Sequence, residues 1–166
     1  MSTMTDLFVS LNQERAALLD AIKDLPDDVL ERRGVVGEWS IKNVLGHIVA
    51  WESAVTEFLP ERVATGARPV IFAVIDDDED GWNARDVAAR EHLTPREQLD
   101  EFERSRQALL QTLRTLGEEV LSREHPWEGW DGTVAAYVLD SVGGHEDEHR
   151  EAVLAGVRQL TLHSRE

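Results

Sequence analysis

Residues 143–151 read GGHEDEHRE, and within them His145, Glu146, Asp147, Glu148 and His149 spell H-E-x-x-H. Those letters are a zinc-peptidase signature, in which two histidines one helical turn apart hold a metal and the glutamate acts as base. The extensions that a peptidase needs are missing. A metzincin has glycine where this chain has Ala152 and histidine where it has Ala155, and only 17 residues follow His149, too few for the distant third ligand of a gluzincin. No segment reads as the strand that would hold a peptide substrate, so peptidase chemistry is disfavoured.

A metal site of another kind remains. Four residues apart, His145 and His149 lie about 40° from one another on a helix and point the same way. Their mean direction falls inside the stripe Val134, Val138 and Val142, so both face a helical interior, where imidazoles need hydrogen-bond partners or a ligand. The pair alone fits equally well as two bundle histidines bonded to nearby acids and as part of a metal site. His47 tips the balance. It lies at the edge of the stripe Val44, Ile48, Trp51, Val55 and Phe58, and two ligands from one helix plus one from a facing helix is how bundles assemble metal centres. Three protein ligands leave positions open for chemistry. The chain has no cysteine, so histidine and carboxylate must supply the ligands of a divalent ion: zinc, nickel, iron or manganese.

Around that trio, Glu146 and Glu148 fall about 80° to either side of the histidine direction, whereas Asp147 points away. Either glutamate can orient a histidine or act as base, and either can equally be a solvated flank. Ser141, one turn before His145, is a candidate pocket residue. So are Trp51, Trp127, Trp130 and Tyr137, although core packing suffices to explain Trp51, while Trp39 reads as a staple onto Val44. His92, His125 and His163 read as surface residues. The run Asp76–Asp80, DDDED, lacks the spaced ligands and glycine of an EF-hand loop and reads as a solvated acidic loop.

The elements that must position these residues are helical. A first helix is expected over 5–25 from Leu7, Leu11, Leu18 and Ile22, ended by Pro26. Ser40 caps a second that ends at Pro60. Thr94, Pro95 and Glu97 form a capping box for a third, with Leu99, Phe102, Leu109, Leu113 and Leu116 on its buried face and Gly117 as its stop. Asp131 caps a fourth, from about Thr133 to Val157, across Gly143 and Gly144. Between the second and third runs a long connection with a short helix over about 82–91. The expectation is one all-α domain over residues 1–166, a four-helix bundle with no convincing strand.

With 17 basic and 33 acidic residues the formal charge is −16, which repels nucleic acid and anionic lipid. The N-terminus lacks the basic residues and apolar run of a signal peptide, and no stretch has membrane-spanning length. A soluble, cytoplasmic protein with neither nucleic acid nor membrane as partner is expected.

Together, GEWSIKNVLGHIVAWE and GGHEDEHREAVLAG resemble the DinB/YfiT-like superfamily of four-helix bundles, and the region between them, GWNARDVAAREHLTPREQLDEFERSRQALL, is similar to that family's middle segment. The resemblance is nearest to its ClbS/DfsB-like branch. It implies a divalent-metal triad of His47, His145 and His149, a homodimer, and a small-molecule substrate. The activities it implies are diverse: hydrolase-like detoxification of reactive molecules, as in colibactin self-resistance, mycothiol-dependent isomerisation, and S-transfer from a low-molecular-weight thiol. A non-catalytic metal- or ligand-binding module and a dimerisation unit remain open alternatives.

Overall fold

In the computed structural model, residues 2–163 are described, with side chains up to residue 160; the His163 side chain lies outside that range. Four long helical segments make the bundle: α1 (Thr3–Ile22), α3 (Ile41–Thr65), α6 (Pro95–Leu116), and a final rod of α8 (Val134–Val138), a π-helical turn (Leu139–Gly144) and α9 (His145–His163). The sequence-level expectation of an all-α bundle holds. Shorter helices fill the connections: α2 (Asp27–Leu30), α4 (Val70–Asp77), α5 (Glu79–Ala89) and α7 (Glu118–Ser122).

The helix ends follow local chemistry. The Ser40 hydroxyl accepts from the Asn43 N–H while the Asn43 side chain accepts from Ser40 N–H, and Thr94 and Glu97 form the same reciprocal pair at the start of α6. Thr133, not Asp131, caps α8, its hydroxyl accepting from Ala136 N–H. Pro60 does not end α3. It sits on the exposed side while Phe58, Leu59 and Arg62 around it are buried, so packing outweighs one lost backbone bond, and the helix runs on to Gly66 at φ 70°, a left-handed stop suited to glycine.

Two further departures from the sequence reading concern the connections. The apolar run after Pro69 folds as α4, which turns Ile71, Phe72 and Ile75 toward α3 and leaves Val70 and Val74 exposed. And residues 124–133 form a small antiparallel hairpin, β1 (Glu124–Trp127) with β2 (Trp130–Thr133), Trp127 pairing with Trp130 across Gly129 at φ 76°. Four-residue strands are too short to show a period-2 pattern.

The core has two apolar clusters, one around Leu11, Leu59, Leu109, Leu113 and Val138, the other around Leu18, Ile41, Val44, Ile48 and Phe102. Between them lies a ring of charge to which each long segment contributes one residue. Arg15 of α1 donates to Glu146 of α9 (Nε–Oε1 2.7 Å) and to Glu52 of α3 (Nη2–Oε2 3.0 Å). Arg106 of α6 donates to the same two carboxylates, each at 2.5 Å. The spare donors are also used: Arg15 bonds the Phe102 carbonyl, Arg106 the Leu11 carbonyl, and the Ser105 hydroxyl reaches Glu52. All four side chains are at most 4% exposed. Two cations and two anions cancel, and their polar atoms are satisfied, the condition under which buried charge is tolerable.

α9 packs so closely on the loop before α3 that a Cβ on Gly156 would stand 2.1 Å from the Val35 carbonyl oxygen. Glycine is needed there for approach rather than for conformation.

Candidate metal centre

His47 enters the interior from the second turn of α3, and its ring lies 5.0 Å from that of Trp39 and 6.2 Å from that of Trp51. His145 opens α9 directly after the π-turn, and His149 follows one turn on. The three rings converge. His145 Nε2 stands 3.0 Å from His47 Nε2 and 3.0 Å from His149 Nε2, and one ring nitrogen from each of the three residues lies within 4.8 Å of the others.

These contacts cannot all be hydrogen bonds. A ring nitrogen has one in-plane site, either an N–H or a lone pair, so His145 Nε2 can bond only one of its two neighbours. Three ring nitrogens gathered this closely, each able to offer a lone pair, are satisfied together by a cation. The protonation state agrees with this. Burial, then the neighbouring imidazoles of His149 and His145, hold His47 down to about 3. Burial followed by His149 holds His145 down to about 4. Burial also lowers His149, against the pull of Glu148. All three are neutral nitrogen donors at neutral pH, a donor set that suits zinc, nickel or iron. The fit to a divalent ion is therefore good. His47 Nδ1 is buried without a partner among the described residues.

The histidines line one end of a cavity of about 500 Å³. α3 supplies Trp51, Ala54, Val55 and Phe58 to its wall, α4 supplies Ile71, Phe72 and Ile75, and α5 supplies Glu79 and Asn83. Tyr137, Ser141 and Glu148 line the side formed by the final rod. The α5 wall is pinned by the Trp51 indole N–H, which donates to Asn83 Oδ1 at 3.1 Å, and by Trp82, whose ring lies 5.0 Å from that of Trp51. Tyr137 Oη accepts from Arg62 Nη1 at 3.1 Å, and burial pushes the phenol up against the opposing effect of Arg62. Ser141 Oγ donates to the Tyr137 carbonyl at 2.6 Å.

Of the residues picked out from sequence, Trp51, Tyr137, Ser141 and Glu148 thus share a cavity with the three histidines. Glu146, Trp127 and Trp130 do not. Glu146 is fully buried with its oxygens held by Arg15 and Arg106, away from the cavity lining, so it is not placed to act as a base there. Trp127 packs in the apolar core against Tyr137, at 5.3 Å between rings, with Arg62 over its face at 4.5 Å. Trp130 lies against Tyr137 from outside and lines a separate groove with Asp140 and Gly144. Both tryptophans support the Tyr137 ring from behind. His92 is exposed, and His125 stacks on Trp127 in the hairpin. Sequence reasoning missed Trp39, Glu79, Asn83 and the α4 residues as cavity wall. The i, i+1, i+4 spacing of Ile71, Phe72 and Ile75 was the available signal.

No curated protein matches the chain. A solved structure of an uncharacterised protein from Escherichia coli UTI89 superposes with a TM-score of 0.74 over 97% of this chain and 96% of that one, at 9% identity, a likeness of fold alone. The family profile of the DinB superfamily matches residues 10–153, a span that includes the bundle, the charged ring and all three histidines. The chain belongs to the DinB superfamily.

Proposed function

We propose that this protein binds a divalent metal through His47, His145 and His149 and acts on a small reactive molecule, by hydrolysis or by transfer of a thiol. The observation that carries the reading is the convergence of three neutral imidazoles at one end of a largely apolar cavity. A divalent ion held there supplies Lewis acidity toward a water, a thiol or an electrophile. The chain's own residues do the rest. Trp39 and Trp51 flank the His47 ring, fix its plane and keep solvent from it. Glu148, exposed at the cavity wall beside His149, takes up a proton released near the ion. Arg62 occupies a lone pair of Tyr137 Oη, which leaves the phenol hydrogen to donate to substrate, and Arg62 stabilises negative charge developing at that oxygen.

The test has two parts. Elemental analysis of the purified protein is expected to find about one divalent ion per chain, lost in His145→Ala. A panel of electrophiles, each with and without a low-molecular-weight thiol, is expected to reveal a turnover that vanishes in His47→Ala while the fold persists by circular dichroism. Absence of metal in the wild type together with unchanged thermal stability of His145→Ala would overturn the reading.

A second reading, non-catalytic sequestration, is favoured by the sequestered Glu146, which leaves one exposed carboxylate beside the histidines. It predicts tight ligand retention without turnover in the same panel. Assembly as a cytoplasmic homodimer belongs to the proposal as well, and sedimentation at micromolar concentration tests the dimer. No described helix is long and apolar enough to cross a membrane.

A further inference from the structure

The cavity restricts what can reach the histidines. Its long wall is α3, along which His47 and Phe58 are separated by roughly 16 Å at the usual rise per residue. Polar and apolar groups are sorted along that length. The histidines stand at one end against Trp39 and Trp51, and at the other Phe58 faces Phe72 at 5.1 Å between rings, with Ile71 and Ile75 beside them. A molecule filling about 500 Å³ is of ordinary ligand size, and its far half meets a mainly apolar wall in which Tyr137 Oη, bonded to Arg62, is the polar group.

Charge is sorted too. Among the described residues the wall contains two carboxylates, Glu79 and Glu148, both exposed, and no lysine or arginine. Arg62, behind the wall, donates to Tyr137 Oη and the Glu128 carbonyl and is covered by aromatic faces, with its buried Nε left without a partner among the described residues. Arg68, over the Phe72 ring, pairs with Asp76. The chain as a whole carries −16, so the field outside has the same sign as the field at the entrance. An anion approaching the cavity is repelled at long range and finds no basic side chain within. A cation meets two carboxylates in a wall that also contains Trp39 and Trp51, surroundings that favour an ammonium group.

We propose that the substrate of this cavity is an elongated molecule with an apolar, aryl- or alkyl-bearing tail seated at Phe58 and Phe72 and an uncharged or cationic head near Glu79 and Glu148, and that carboxylate-bearing thiols such as glutathione are excluded from it. This rests on the reading above in taking the cavity as the substrate site; the charge count is that of the chain's own side chains, and because a divalent ion at the histidines would offset the two carboxylates, the probes are compared on chelator-treated protein.

Three probes that share a tail and differ in head charge separate the possibilities: 4-phenylbutyl-trimethylammonium, 4-phenylbutanol and 4-phenylbutanesulfonate. None is a strong metal ligand, and the full-length protein is used after chelator treatment. Calorimetric titration at pH 7 and low salt is expected to rank ammonium first, alcohol second and sulfonate last, with about tenfold between the extremes. Glu79→Gln/Glu148→Gln is expected to shrink that gap to about twofold, and Phe72→Ala to weaken all three probes alike by about fivefold. Equal or tighter binding of the sulfonate, a gap that survives the double substitution, or binding indifferent to Phe72→Ala in a folded variant would overturn the proposal. Metal analysis of the untreated protein keeps the two readings apart. Protein that is metal-free before treatment, with the probe order intact, defeats the metal reading alone, and protein that carries metal before treatment but lacks the order after it defeats this one alone.

Discussion

Two polar clusters lie inside the bundle, and they are built on opposite plans. In the ring of Arg15, Glu52, Arg106 and Glu146 every charge has its complement and the spare donors end on carbonyls. In the histidine trio the ring nitrogens face one another with no complement among them. His145 and Glu146, adjacent in sequence, belong one to each. The contrast teaches that burial does not distinguish a structural polar group from a functional one; what distinguishes them is whether the protein itself completes the bonding. A completed cluster holds the helices in register, and an incomplete one leaves capacity for something the protein must bind.

The contrast can be broken experimentally, and in free energy of unfolding the effects fall in a definite order. Arg106→Met leaves Glu52 and Glu146 facing a single guanidinium, and chemical denaturation is expected to show a loss of about 3–5 kcal/mol. Next comes the metal. Zn²⁺ at a hundredfold excess over its dissociation constant is expected to stabilise the wild type by about 2.7 kcal/mol, and a melt of His145→Ala should show no such gain.

A smaller effect follows from pH. His47 is held well below its ordinary value, to about 3, so in the metal-free protein the unfolded chain takes up a proton near pH 6.5 while the folded chain does not. The stability due to a neutral His47 is whole above about pH 6.5 and is lost as pH falls toward 3, by about 1 kcal/mol per pH unit. Melts of chelator-treated protein from pH 7 to pH 4.5 should fall more steeply for the wild type than for His47→Ala. The smallest effect is expected of the most drastic change. Replacing the whole ring, Arg15→Met, Glu52→Leu, Arg106→Met and Glu146→Leu together, is expected to leave stability within about 1 kcal/mol of wild type, since no unpaired charge remains. If that variant still binds zinc with unchanged affinity, the ring does not position the histidines.

The two clusters were unequally legible in the sequence. The trio shows itself through types and spacing: histidine is rare here, and a helical wheel brings two to one face and the third to a facing stripe. The ring members are four among 50 basic and acidic residues, and no motif marks them. Their trace is positional. Arg15 occupies the turn missing between Leu11 and Leu18, and Arg106 the one missing between Phe102 and Leu109, so each is a charge standing where the apolar stripe requires a core residue. Glu146 and Glu148 were indistinguishable on the wheel because they flank the histidines symmetrically; only the packing of α1 and α6 on one flank and open cavity on the other separates them. Ser40, Thr94 and Gly117 end their helices through local bonds and were readable. Pro60 was misread because its tolerance depends on neighbours distant in sequence.

The π-turn at Leu139–Gly144 carries a last consequence. A wide turn accommodates one residue more than an α-helical turn, so everything beyond it is rotated by about 100° from where an unbroken helix would put it. The rod thus has two phases, one that aims Tyr137 and another that aims His145, His149 and Glu146. Deleting Gly143 or Gly144 would close the turn into regular helix and keep Tyr137 and His145 on one face, seven residues apart, whereas regular helix through the full sequence would set them eight residues and about 80° apart, and they would no longer share a cavity. In this architecture chemistry depends on the arithmetic of a single residue, a change to which helix content and hydrophobic pattern are both blind.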